Sequence, residues 1–270
     1  MEIAGKRVLL TGATGGIGRA IAGALATRGA AVVLSSRKGE ELEALAASLP
    51  GGGHSVVVSD LAEPGAAARL AADATADGPI DILVANAGLP GSGRLSDFSA
   101  GEVARAVRVN LESPMILAHA LLPAMIDRHG GHLLFVSSLA GKAASPRASV
   151  YNGTKFGLRG FALALREDLA GDGSGVGVTV VMPGFIRDAG MFADSGAKVP
   201  SGVGTSTPEE VAAGVVRGIE QNKAEVAVAP LQQRALAHFA HWFPGIAARA
   251  QRGGGTKVAE HVARGQTDKR

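Results

Sequence analysis

Tyr151 and Lys155 lie four positions apart in a stretch, 150–170, whose apolar spacing predicts a helix, so both side chains leave the same face. A phenol beside an ammonium is a proton-exchange pair. Tyrosine titrates near ~10 unperturbed, and a neighbouring cation lowers that by about 1–3 units, towards a pH at which the proton moves usefully. Tyr151 is the single tyrosine in the chain, and in a reduction it would be the general acid. Taken alone, Tyr-x-x-x-Lys is a common chance spacing and more often structural. Ser137-Ser138 closes a strand-like run at the carboxyl edge, where open α/β sheets place ligands, and the Ser138 hydroxyl can donate to a substrate oxygen as charge develops. Asn110 interrupts an apolar helical region, 99–128, where an amide without partners would be costly. It either holds a water molecule or bends the helix.

A second constellation is T-G-A-T-G-G-I-G, Thr11 to Gly18, which follows the first strand-like run and opens a helix. Glycines there let the backbone turn tightly and approach a pyrophosphate, whose charge meets unpaired N–H groups and the positive end of the helix. In a chain with 39 glycines such spacing alone is weak, but its place between strand and helix strengthens it. The second strand ends Leu34-Ser35-Ser36-Arg37-Lys38. An acid at this turn suits the ribose hydroxyls of NAD, whereas an arginine pairs with the 2′-phosphate of NADP. Two adjacent cations and no carboxylate at the turn predict NADP(H), with NAD(H) the second choice. The plainer reading is a solvated strand end.

The elements that must position these groups follow from the apolar pattern. Short β-branched runs recur at 7–11, 31–35, 55–59, 80–85, 132–137 and 177–182, separated by longer Ala- and Leu-rich stretches, and 225–229 reads as a seventh strand. Strand and helix alternate, which predicts an α/β protein with a parallel sheet covered on both faces. Ser99 with Glu102, and Thr207 with Pro208 and Glu210, mark two helix starts as capping boxes. With 46% hydrophobic and 19% charged residues, the 270-residue chain can close one sizeable core. We expect one catalytic domain over 1–230 and an extension over 231–270, with an amphipathic helix at 234–243 and mobile stretches at 253–255 and 265–270.

Composition also excludes. The absence of cysteine rules out disulfides, thiolate metal sites and a cysteine nucleophile. A formal charge of +3 with Lys and Arg spread along the chain argues against nucleic acid. His129/His132 and His238/His241 lack a third ligand, so no metal is expected. No Gly-x-Ser-x-Gly elbow supports a hydrolase. Without a leading apolar segment or a run of roughly 18 apolar residues, a soluble, cytoplasmic protein with no integral membrane contact is expected.

Taken in order, these residues resemble the classical short-chain dehydrogenase/reductase family, from about Lys6 to Pro230. The family's glycine loop falls on Gly12, Gly16 and Gly18, with Thr14 and Ile17 between them, and its adenine-side positions on Ser36, Arg37, Asp60 and Leu61. Its N-A-G element falls on Asn86-Ala87-Gly88 and its proline-glycine element on Pro183-Gly184, with Ile186 beside it. Its tetrad falls on Asn110, Ser138, Tyr151 and Lys155, with the family's thirteen-residue separation of Ser138 and Tyr151.

The resemblance implies a Rossmann-like, doubly wound, mainly seven-stranded parallel sheet, and hydride transfer between a ketone or aldehyde and an alcohol. It further implies that Lys155 holds the nicotinamide ribose, that Asn110 places a relay water, and that the 99–128 and 150–170 helices pack in a homodimer or homotetramer. Two departures stand out. Gly12-x-x-Gly15-x-x-Gly18 is also the spacing of the extended branch, although chain length and Asn86-Ala87-Gly88 favour the classical one. Arg187-Asp188 replace a threonine that contacts the nicotinamide amide in many members. The alternative is a cofactor-binding regulatory or scaffold protein without turnover.

Substrate walls are expected at 89–95, 139–147 and 185–206, the last carrying Met191, Phe192, Val199 and Pro200 and being the candidate lid. They suggest a partly apolar carbonyl or alcohol substrate. The aromatic group Phe239, His241, Trp242 and Phe243 lines the pocket, packs between subunits or rests on a membrane surface; packing is the plainest of the three.

Overall fold

A computed structural model describes residues 1–191 and 204–250. The expected glycine-rich and terminal stretches at 253–255 and 265–270, and Phe192, Val199 and Pro200 of the expected lid, lie outside the described residues.

Seven strands, β1 (Arg7–Thr11), β2 (Ala31–Ser36), β3 (Ser55–Val58), β4 (Ile82–Ala85), β5 (Gly131–Val136), β6 (Val176–Pro183) and β7 (Glu225–Val228), form one sheet in the order β3-β2-β1-β4-β5-β6-β7. Every neighbouring pair is parallel. The chain winds outward from β1 to β3, then returns to the other side of β1 for β4. Strand order therefore reverses between β1 and β4, and a crevice opens above their carboxyl ends, the place where such sheets bind ligands.

Alternate side chains on each strand feed the two faces. Val8, Leu10, Val32, Leu34, Val84 and Val181 pack with Ile21 and Leu25 of α1 (Gly16–Thr27), Leu42 of α2 (Gly39–Ser48) and Val215 of α7 (Pro208–Glu220). Leu9, Val33, Leu83, Leu133 and Val180 pack oppositely, against Leu70 of α3 (Ala66–Thr75), Leu121 of α5 (Ser113–Asp127) and Leu158 of α6 (Ser149–Gly171). Both faces are covered, which is why the strands read as near-continuous apolar runs. Phe135 is fully buried and meets Phe161 of α6 edge-on at 5.6 Å.

The expected helix at 99–128 is interrupted. Helix α4 (Ala100–Val107) passes through a π-turn, Arg108–Glu112, before α5 begins. Pro114 has no N–H, so the carbonyl of Asn110 cannot receive its α-helical i+4 bond, and the turn widens there. The 28-residue run Ala100–Asp127 is apolar enough to pass for a membrane span by composition, yet Leu117, Leu121 and Met125 are buried in the domain. The two capping boxes form as expected: Ser99 Oγ accepts from Glu102 N at 3.2 Å, and Thr207 Oγ1 from Glu210 N at 3.2 Å. Helix α8 spans Leu231–Trp242, three residues earlier than the expected start, and residues 244–250 are again helical.

Candidate active site

At the end of β1 the chain turns at Gly12, whose φ of 66° lies in the left-handed region. A Cβ there would come within 2.9 Å of Ala87 Cα, so only glycine lets the loop lie against the end of β4. Thr11 ties the two strand ends together: its Oγ1 accepts from Asn86 N at 3.1 Å and from Ala87 N at 3.0 Å. Asn86 Nδ2 donates back to the carbonyls of Thr11 and Gly12, at 3.0 and 3.2 Å. Gly18 packs directly on the Gly12 carbonyl, where a side chain would overlap it. Helix α1 then starts behind Gly15 with no side-chain cap and no acid in its first turn. Its leading N–H groups are turned to the crevice without a competing anion, which fits a pyrophosphate.

Ser36, Arg37, Asp60 and Leu61 sit at the far end of the crevice, beyond the tips of β2 and β3. Arg37 Nη1 lies 3.9 Å from Asp60 Oδ2, with 53% of its side chain exposed. Ser36 Oγ accepts from Lys38 N, and Asp60 Oδ1 from Ala62 N. The expectation of cations with no carboxylate is corrected at both, since Asp60 lies 3.9 Å from Arg37 and Glu41 bonds Lys38. Glu41, from the first turn of α2, reaches between Lys38 Nζ at 2.6 Å and Arg19 Nη2 at 2.8 Å. The Lys38 hydrogen bond, foremost, holds its carboxyl below the usual range. Lys38 is thus held closely by Glu41 at 2.6 Å, whereas Arg37 stands 3.9 Å from Asp60. Leu61 is buried; its carbonyl accepts from Ser113 Oγ at 3.3 Å.

The four residues of the other constellation converge above β4 and β5. Tyr151 stands in the first turn of α6, beneath the 86–93 loop, where Gly91 allows the close approach: a Cβ there would lie 2.8 Å from Tyr151 N. Lys155 is buried one turn on, with Nζ donating to Val136 O at 3.0 Å and lying 5.7 Å from the centre of the Tyr151 ring. Ser138 Oγ accepts from Ala140 N at 3.1 Å and donates to Pro183 O at 3.4 Å. Asn110 is fully buried on the π-turn; its Oδ1 accepts from Leu89 N at 2.7 Å, and its Nδ2 donates to Leu89 O at 2.9 Å and Thr154 Oγ1 at 3.2 Å. The amide is therefore satisfied by the wall loop. Gly88 sits where a Cβ would lie 3.4 Å from Asn110 Oδ1 and 3.7 Å from Lys155 Nζ.

The electrostatics differ from the expectation that Lys155 lowers the Tyr151 phenol. Burial dominates and pushes Tyr151 up, with the neighbouring Ser138 hydroxyl working the other way. The ammonium is turned to the Val136 carbonyl, and burial lowers Lys155 itself to about 8.

A cavity of about 540 Å³ lies over this cluster, lined among others by Ile17, Ser138, Tyr151, Lys155, Gly184 and Ile186. Three contributors were given no role of their own from the sequence. Asn152 holds the wall after Ser138 by donating to Ala140 O and Ala143 O at 2.6 and 3.0 Å. Gln233 of α8 is buried, donates to Gly204 O at 2.8 Å and accepts from Phe185 N at 3.2 Å, so it joins both described ends of the 185–206 segment. Thr11, described above, is the third. Of these, only Thr11 had a local signal, its place at the strand end. Arg187 and Asp188 pair with each other at 3.4 Å on the exposed side, and Ala189, Gly190 and Met191 line the cavity instead. His132 turns into the core, where its Nε2 meets Thr179 Oγ1 at 2.9 Å.

A doubly wound parallel sheet, a glycine turn feeding an uncapped helix start at the switch point, and a polar cluster over the next strands define a nucleotide-binding α/β protein. The family model described as short chain dehydrogenase matches residues 6–200. The chain is 36% identical over 231 residues to ketoacyl reductase HetN of Nostoc sp., covering 84% of this chain and 79% of that one. It is 35% identical over 187 residues to dehydrogenase/reductase SDR family member 7B of Mus musculus, covering 67% of this chain and 57% of that one. Among solved structures, a short-chain dehydrogenase from Sphingobium yanoikuyae in complex with NADPH superposes with a TM-score of 0.77 at 27% identity, over 92% of this chain and 94% of that one. This chain belongs to the short-chain dehydrogenase/reductase family of oxidoreductases.

Proposed function

We propose that this protein is an NADP(H)-dependent oxidoreductase that interconverts a partly apolar ketone or aldehyde and the corresponding alcohol. The observation that carries the reading is the convergence of Ser138, Tyr151 and Lys155 on one cavity that opens beside the uncapped start of α1. When bound, the nicotinamide cofactor gives or accepts the hydride. The α1 N-terminus and the Gly12–Gly18 turn would hold its pyrophosphate, Asn86, Ala87 and Gly88 its middle, and Pro183, Gly184 and Ile186 its nicotinamide end. Arg37, helped by Ser36, would take the 2′-phosphate, and this is the basis for preferring NADP(H).

In the proposed reduction, Ser138 donates to the substrate oxygen and Tyr151 delivers the proton to it. Burial keeps the phenol protonated at neutral pH, which is the form an acid needs. Lys155 carries positive charge under the cavity and steadies the phenolate left behind. The Asn110 carbonyl, denied its α-helical donor by Pro114, would hold the water that returns a proton to Tyr151. The apolar wall fits a substrate with a hydrocarbon body. We propose further that 1–230 is one catalytic domain, that 231–270 is an extension, and that the protein is cytoplasmic and a homodimer or homotetramer.

Titration with NADPH and NADH, following nicotinamide fluorescence, and then with a panel of ketones tests this reading. Tighter NADPH binding, with NADPH consumption that Tyr151→Phe abolishes, is the expected result. NADPH binding with no ketone consumed would instead favour a cofactor-binding regulatory protein.

A further inference from the structure

Helix α8 carries three stripes. Gln233, Ala237 and Ala240, at helical spacing, line the cavity. Arg234, His238 and His241 form a polar stripe on a second side. The third side is apolar and faces solvent: Leu236 is 59% exposed, Phe239 44%, Trp242 73% and Phe243 52%, and Ile246 in the next helical stretch is 56% exposed. Phe239 and Phe243 pack against each other in a tilted pair, 5.3 Å between ring centres. Single exposed apolar side chains are ordinary, but a contiguous aromatic patch of this kind marks an interaction surface.

Charge identifies the occupant. Residues 226–250 contain no Asp or Glu, while Arg234 and Arg249 fall within them. A helix with tryptophan and phenylalanine on one side and cations without carboxylates elsewhere is matched to the interface of an anionic bilayer, not to a second copy of the same cationic segment. Leu236 belongs both to the cavity lining and to the exposed stripe, so the stripe meets the cavity wall at this residue. We infer that α8 and residues 244–250 form a peripheral docking surface for an anionic lipid bilayer, seated with the cavity mouth beside the acyl boundary. The docking does not depend on the reaction proposed above.

Trp242 is the only tryptophan in the chain, so its fluorescence reports this surface alone. The full-length protein is mixed with vesicles of phosphatidylglycerol, of phosphatidylcholine, and of phosphatidylglycerol carrying brominated acyl chains. The expected result is a blue shift and co-sedimentation with phosphatidylglycerol, weakened by salt, together with quenching by the brominated lipid. The double variant Phe243→Ser/Ile246→Ser keeps the reporter and is expected to partition about tenfold or more weakly. Its NADPH affinity and far-UV circular dichroism serve as folding controls. Emission unchanged by every vesicle, or a double variant that partitions like wild type, overturns the inference. So does emission that is blue-shifted without lipid and moves red on dilution as sedimentation shows a dimer dissociating, since a second copy then covers the face. Should the double variant fail to fold, absence of brominated-lipid quenching in the wild type still overturns it.

Discussion

Replacing Thr11 by valine tests how the crevice is held open at its switch point. Thr11 is 1% exposed, and its hydroxyl is the acceptor for both Asn86 N and Ala87 N. Valine has nearly the same shape, so no sizeable cavity forms, but two partly buried N–H donors lose their partner. Each unsatisfied donor costs about 1–3 kcal/mol, and with one oxygen shared between them the sum is about 2–4 kcal/mol. For a domain of this size that corresponds to a fall in Tm of about 4–10 °C. Differential scanning calorimetry of wild type, Thr11→Val and Thr11→Ser measures it, the serine variant restoring most of the loss. Because Asn86 and Ala87 form the floor of the proposed cofactor site, NADPH affinity should fall with stability in the valine variant. A Thr11→Val protein that melts with the wild type and binds NADPH as tightly would refute the view that this hydroxyl fixes the β1 and β4 ends.

Four further outcomes are expected. Arg37→Ala should weaken NADPH binding about tenfold or more while leaving NADH little changed, read by fluorescence titration; equal losses for both cofactors would remove Arg37 from the 2′-phosphate. Burial lowers Lys155 to about 8 in the fold from an ordinary 10.5, so it disfavours folding fully below pH 8 and progressively less up to pH 10.5. Lys155→Met without cofactor should therefore be more stable than wild type at pH 7 by up to about 3 kcal/mol in urea, with the gap closing as pH rises. His132, held neutral in the core with its pKa lowered to about 3 from 6.5, protonates in the unfolded chain first, so stability falls as pH drops below 6.5. His132→Phe should lose about 2 kcal/mol less than wild type between pH 7 and pH 5, and parallel losses would contradict this assignment. Asn152→Ala should free the wall after Ser138, lowering kcat/KM for ketone reduction more than it lowers NADPH affinity; an unchanged kcat/KM would show the wall holds without it.

The chain's order of elements was legible without coordinates because a parallel sheet buried on both faces leaves a repeating signal: short β-branched runs, then amphipathic helices. The two capping boxes were equally legible, being local hydrogen-bond chemistry written within four residues. The glycine turn after β1 was legible for the same local reason, and Ser138, Tyr151 and Lys155, picked out by type and spacing, do line one cavity. What the sequence could not convey was set by contacts between distant segments. The direction of the Tyr151 shift depends on where the Lys155 ammonium points, and the Val136 carbonyl decides that. Glu41 enters the cationic turn from the next helix, Thr11 reaches across to β4, and Gln233 arrives from α8 to join Phe185 to Gly204. The break at Arg108–Glu112 was not read from the sequence, although the missing N–H of Pro114 that widens the turn is a local feature. Local periodicity and turn chemistry are carried by neighbours in the chain, whereas burial, proton affinity and hydrogen-bond pairing are properties of neighbours in space.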